Sequence, residues 1–141
     1  MVDKTLVLRK LSDLEIYLEQ IKEYQNITVT QYRTDWKTQR ILERTLQIMI
    51  ETCADIATHI VSDRKLRVPD TYADIFRVLS EAGVLKEEFV ERLIAMVRLR
   101  NIVVHDYEKI DPEIVVGILQ RHLEDFSQFK DTMVNFIKTY R

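Results

Sequence analysis

The amino-acid sequence predicts an all-α fold, a single domain over residues 1–141 built as a bundle of about five helices. Three observations predict it. Two Gly and two Pro in 141 residues are too few for the tight turns that a sheet requires. Apolar residues recur at three- and four-residue spacing along most of the chain. With 46% hydrophobic and 31% charged residues the composition is globular, and a chain of this size buries roughly two thirds of its unfolded surface.

The first helix is expected from about Lys4 to Gln25, where Leu11, Leu14, Leu18 and Ile21 form one stripe, before Asn26 to Thr30 interrupts the pattern. A second helix of about 30 residues carries Leu42, Thr45, Met49, Ile56 and Ile60, preceded by Tyr32 and Trp36. Its charges, Arg40, Glu43, Arg44, Glu51 and Asp55, read as a solvated face or part of a dimer seam. Pro69 in the polar stretch Asp63 to Asp70 ends that run and biases Val68 to extended backbone. Asp70 or Thr71 then caps a short helix with Tyr72, Ile75, Phe76 and Leu79, and Gly83 stands where a left-handed residue closes it. From Lys86 a fourth helix presents Phe89, Leu93, Met96 and Val97. Asp111-Pro112-Glu113 is a start signal for a final helix through Val115, Leu119, Phe126, Phe129, Met133, Ile137 and Tyr140.

The net charge of -2 and pI near 5.9 provide no basic footprint of the kind duplex-DNA binders carry, so any nucleic-acid contact is local. Cys53 is the only cysteine, which excludes an intrachain disulfide and reads as a small buried apolar residue. No apolar run approaches the roughly 20 residues that span a bilayer, and charges interrupt Met1 to Lys10 where a signal peptide is apolar. A cytoplasmic protein is expected. His59 and His122 fall on separate helices, no spacing resembles a zinc set, and Gly83 and Gly117 form no phosphate-cradling loop. No metal and no cofactor are therefore expected, and an NTPase is excluded.

Arg100-Asn101-Ile102-Val103-Val104-His105-Asp106-Tyr107 combines chemistry-bearing side chains around an apolar triplet. An Arg followed by His five residues later and by Tyr two further on arises by chance about 0.01 times in a chain of this composition. On one continuous helix Arg100 and His105 stand about 500°, or about 140° net, apart and do not converge on one ligand. Either the helix bends near His105, where the β-branched run lowers helix propensity, or two chains cooperate. The plainer alternative is that Arg100 and His105 complement the dipole of a last helical turn, worth roughly 0.3 to 1 kcal/mol.

This segment resembles the Arg-x4-His-x-Tyr motif of the HEPN superfamily and is similar to the HepT toxins of toxin-antitoxin pairs. The stretch Tyr72 to Gly83, Glu43-Arg44 followed by Glu51 and Asp55, and Ile110-Asp111-Pro112 also look like that family, so the likeness covers nearly the whole chain. The resemblance implies a homodimer bringing two motifs together and a metal-independent ribonuclease, the toxin of a type VII-like system. Arg100 would clamp phosphate oxygens, His105 would act as base or acid, and Asn101 would orient a phosphate or the His. It also implies that Tyr107 is adenylylated by an MntA-like nucleotidyltransferase antitoxin, adding negative charge and bulk beside the phosphate site. Two other readings are a substrate-binding or docking subunit of a nucleotidyltransferase complex and a helical dimerisation module without nucleic-acid contact.

Overall fold

The computed structural model describes residues 3–139; Met1 and Tyr140, both named in the expectations above, lie outside the described residues. Seven α-helices and one 3-10 turn are formed among them, and no strand. They are α1 (Lys4–Lys22), α2 (Val29–Thr34), α3 (Trp36–Asp63), α4 (Asp74–Glu81), α5 (Glu87–His105), the 3-10 turn (Tyr107–Lys109), α6 (Pro112–Arg121) and α7 (Glu124–Thr139).

At 28 residues, α3 is about 42 Å long and is the axis of the bundle, packing against α1, α2, α4 and α5. The α1 stripe Val7, Leu11, Leu14, Leu18 and Ile21 is buried against α3 and α7. The Asp3 carboxylate accepts from the Leu6 N–H at 3.0 Å, and the Asp3 N–H donates to His59 Nε2 at 3.1 Å, tying the start of α1 to α3. Across the core, the rings of Phe76 and Phe129 meet edge to face at 6.2 Å, both essentially without solvent exposure. Cys53 is buried as expected, and burial pushes its thiol well above the ordinary range, which leaves it unreactive.

Several helix limits differ from the expectation, each for a local reason. The segment after Asn26 is not simply an interruption. Thr28 and Gln31 make a reciprocal capping box that starts α2, and Asp35 then caps α3 through the Lys37 and Thr38 N–H groups. At α4 the Thr71 hydroxyl accepts from the Asp74 N–H at 3.1 Å, so the regular helix starts at Asp74 and Tyr72 stands on the turn before it. Gly83 is left-handed as expected, with φ +80°; its N–H donates to Ser80 O and that of Val84 to Leu79 O. The same closure ends α3, with Lys65 at φ 54°. The expected final helix is two, because α6 stops at Arg121 and α7 restarts at Glu124. Apolar spacing runs unbroken across that junction from Leu119 to Leu123 to Phe126, so periodicity hides it. The local signature is basic Arg121 before acidic Glu124 and Asp125, the charges of a helix end and a helix start.

An arginine clamp joins the connection after α3 to α4. The Arg67 guanidinium donates to Asp74 at 2.7 and 3.1 Å and to Glu81 through Nε and Nη2, both at 2.8 Å. These bonds hold the Asp74 carboxyl down at about 2 and lower that of Glu81, while raising the Arg67 guanidinium. No helix among the described residues is long and apolar enough to cross a membrane.

Candidate functional site

The β-branched triplet Ile102 to Val104 does not break α5, which continues through His105. The expected stop falls one residue later. Asp106 leaves the helix at φ -156°, its N–H donating to Ile102 O at 2.8 Å, and the chain enters the 3-10 turn that carries Tyr107. Arg100 and His105 therefore stand five positions apart on one unbroken helix and diverge around its axis. Of the two arrangements open at the sequence level, the bend between them is not formed.

Arg100 is held on three sides. Its Nε donates to Glu51 Oε2 at 2.9 Å, an Nη1 hydrogen goes to Asn101 Oδ1 at 3.1 Å, and the guanidinium carbon lies 4.5 Å from the centre of the Tyr72 ring. Gln47 Nε2 donates to the same Glu51 oxygen at 3.3 Å. Burial raises the Tyr72 phenol, and the Arg100 charge partly offsets that rise. A guanidinium has five N–H groups, so three of Arg100 remain after these bonds. The side chain is 20% exposed, oriented by protein on one edge and one face and still accessible. Asn101, His105 and Tyr107 are also exposed.

Tyr107 borders a separate shallow cleft of about 270 Å³ lined by Arg40, Glu43, Arg44, Gln47, Val103 and its own ring. The Arg40 guanidinium lies over the Tyr107 ring at 5.6 Å. Arg40 is in turn bound by Glu43 at 3.2 Å, whose other oxygen accepts from the buried Tyr32 hydroxyl at 2.6 Å. Burial first, and then that carboxylate, raise the Tyr32 phenol far above its ordinary value.

Of the α3 charges, Arg40, Arg44 and Asp55 are exposed, as a solvated face requires, whereas Glu43 and Glu51 are drawn into contacts with Tyr32 and Arg100. Glu43 is 7% exposed, and Arg40, Glu43, Gln47 and Glu51, at helical spacing, form one polar stripe along α3. That stripe serves both Tyr107 and Arg100. Arg40, Tyr32 and the supporting role of Tyr72 were not picked out from sequence; the available signal was the period 40, 43, 47, 51 continued by an Arg–Glu pair at i, i+3. Of the four motif residues, the structure brings Arg100 and Asn101 into direct contact and leaves His105 and Tyr107 on the exposed rim. Among the described residues, no group of three His, Cys, Asp or Glu side chains is placed to hold a metal ion.

The sequence matches a known family over most of its length. The model of the HepT-like ribonucleases matches residues 14–133, and the chain belongs to that family. It is 33% identical over 128 residues to the mRNA nuclease HepT of Shewanella oneidensis, covering 91% of this chain and 96% of that one. It is 26% identical over 138 residues to the tRNA nuclease HepT of Aphanizomenon flos-aquae, covering 98% and 94%. In structure it superposes on the tri-AMPylated Shewanella oneidensis HEPN toxin in complex with an MNT antitoxin, with a TM-score of 0.85, 32% identity, and coverage of 96% of this chain and 99% of that one.

Proposed function

We propose that this chain is the ribonuclease toxin of a toxin-antitoxin pair, acting on RNA in the cytoplasm without a metal ion and silenced by adenylylation of Tyr107. The observation that carries the reading is Arg100, fixed by Glu51 and Tyr72 with three N–H groups still available beside Asn101. A preorganised fork of that kind suits the charge that builds on a phosphorane.

In the reaction a base takes the proton of an RNA 2′-hydroxyl, and the 2′-oxygen bonds to the adjacent phosphorus. The bond to the 5′-oxygen breaks, and an acid protonates that oxygen. His105, exposed at the end of α5, serves one of the proton transfers, Arg100 binds the phosphorane oxygens and Asn101 orients a phosphate or the His. Because Arg100 and His105 diverge on one helix, a complete set calls for a second copy, whose His105 supplies the other proton transfer. The reading therefore includes a homodimer, and a monomer that retains full cleavage would remove this part of it.

Silencing is by an MntA-like nucleotidyltransferase. The Tyr107 phenolic oxygen bonds to the α-phosphorus of ATP, its proton passes to a base, and the α–β anhydride bond breaks with pyrophosphate leaving. The 56% exposure of Tyr107 supports access by a partner enzyme. The test is incubation of unmodified protein with total RNA and tRNA in EDTA, beside Arg100→Ala and His105→Ala variants shown to be folded. Cleavage by the wild type, lost in both variants, is expected. Intact RNA throughout, with Tyr107 still labelled by the nucleotidyltransferase, would replace this reading with that of a docking subunit.

A further inference from the structure

The Tyr107 cleft contains more than an accessible hydroxyl. Arg40 lies over the ring, restrained through Glu43 by the buried Tyr32, and Arg44 lines the same cleft one helical turn along α3. Among the described residues Arg44 makes no ion pair, and the Tyr107 hydroxyl makes no hydrogen bond. Two arginines therefore line the cleft that Tyr107 borders, one of them lying over its ring and held through Glu43 by a buried tyrosine. That is more order than an exposed phenol needs for its own stability.

We infer that Arg40 and Arg44 form a phosphate-binding cradle for the nucleotide that Tyr107 carries. The inference rests on the adenylylation reading above and adds how the attached group is kept in place. A phosphodiester on the phenolic oxygen is tethered to a ring that both arginines border, and guanidinium forks bind phosphate oxygens through paired, charge-assisted hydrogen bonds. The cleft is open, and a free nucleotide would bind it weakly. Attachment changes the situation, because a tethered ligand meets its site at high effective concentration. The location also matters. Gln47 lines the cleft and reaches Glu51, the residue that grips Arg100, so a nucleotide docked on this stripe lies along the same α3 face as the proposed cleavage site. Without a cradle, one AMP on a half-exposed tyrosine would spend most of its time in solvent and block little.

The test uses full-length protein co-expressed with an MntA-type nucleotidyltransferase, with AMP on Tyr107 established by peptide mass. Folded protein is exposed to a phosphodiesterase that cleaves the tyrosine–AMP ester, and loss of AMP is followed by intact mass. Arg40→Gln and Arg44→Gln are expected to release AMP about tenfold faster than the wild type, with Arg44→Lys intermediate because it keeps charge but loses the fork. In urea all forms should release AMP at one common rate, which separates cradling from a change in intrinsic reactivity. Equal rates in folded wild type and variants would overturn the cradle and leave adenylylation standing; if the same variants also bound unmodified RNA less well, the arginines would belong to the RNA track instead. Failure of Tyr107 to acquire AMP at all would remove the adenylylation reading, and the cradle with it.

Discussion

Arg67 and Arg100 are both arginines gripped by carboxylates from another part of the chain, yet the protein engages them to different degrees. Arg67 spends four hydrogen bonds on two acids, Asp74 and Glu81, and closes the connection after α3 onto α4. Arg100 gives one bond to Glu51 and one to its neighbour Asn101, rests its face on Tyr72, and keeps three N–H groups. A guanidinium with four of its five donors engaged within the protein is expected to hold structure, whereas one that engages two and presents three is suited to a ligand. The first should govern stability and the second cleavage.

Breaking the structural clamp has the largest expected effect on folding. Asp74→Ala, which removes a buried carboxylate that accepts two hydrogen bonds from Arg67 and one from the Asp70 N–H, should cost about 1–3 kcal/mol in urea denaturation while leaving cleavage intact well below the melting midpoint. The clamp also sets a pH dependence. The Asp74 carboxyl lies at about 2 in the folded protein against an ordinary 3.8, so its contribution is complete above about 4 and is lost as pH falls from there through about 2. The wild-type urea midpoint should therefore converge on that of Asp74→Ala over this acid range.

Loosening the other arginine should do the reverse. Glu51→Gln keeps the shape of the Arg100 partner and removes its charge, with cleavage falling about tenfold and the melting midpoint moving little. Tyr72→Leu removes the aromatic face under the guanidinium, a contact worth roughly 0.5 to 1 kcal/mol, so kcat/KM should fall about two- to fivefold and recover in Tyr72→Phe. Steady-state kinetics on a defined RNA distinguishes these variants from folding defects. An effect of similar size is expected away from both arginines. Lys65→Gly relieves a side chain at φ 54° where α3 closes and should stabilise the fold by about 0.5 to 1 kcal/mol.

The same contrast explains what was legible from sequence. Features encoded within a few residues were readable: the left-handed Gly83, the Asp111-Pro112 start, and a helix stop ahead of it. The motif residues were readable because Arg100 to Tyr107 lie within eight positions. What escaped depends on long-range packing. Arg67 sat in a stretch read only as a polar break, because its partners are 7 and 14 residues away on a helix not yet placed. Arg40 gains its meaning only when α3 lies beside the end of α5, a juxtaposition that no local signal encodes. The split of α6 from α7 was hidden for another reason, since Leu119, Leu123 and Phe126 keep helical spacing through the junction.

If Arg100 is reserved for RNA and Arg67 for the fold, the two separate when the rate of RNA cleavage in EDTA and the melting midpoint of Arg100→Ala and Arg67→Ala are measured on the same preparations. Arg100→Ala is expected to lose about 100-fold or more in cleavage with a near-native midpoint, and Arg67→Ala to melt lower but cleave at the wild-type rate while folded. Wild-type cleavage by a folded Arg100→Ala protein would contradict that role for Arg100.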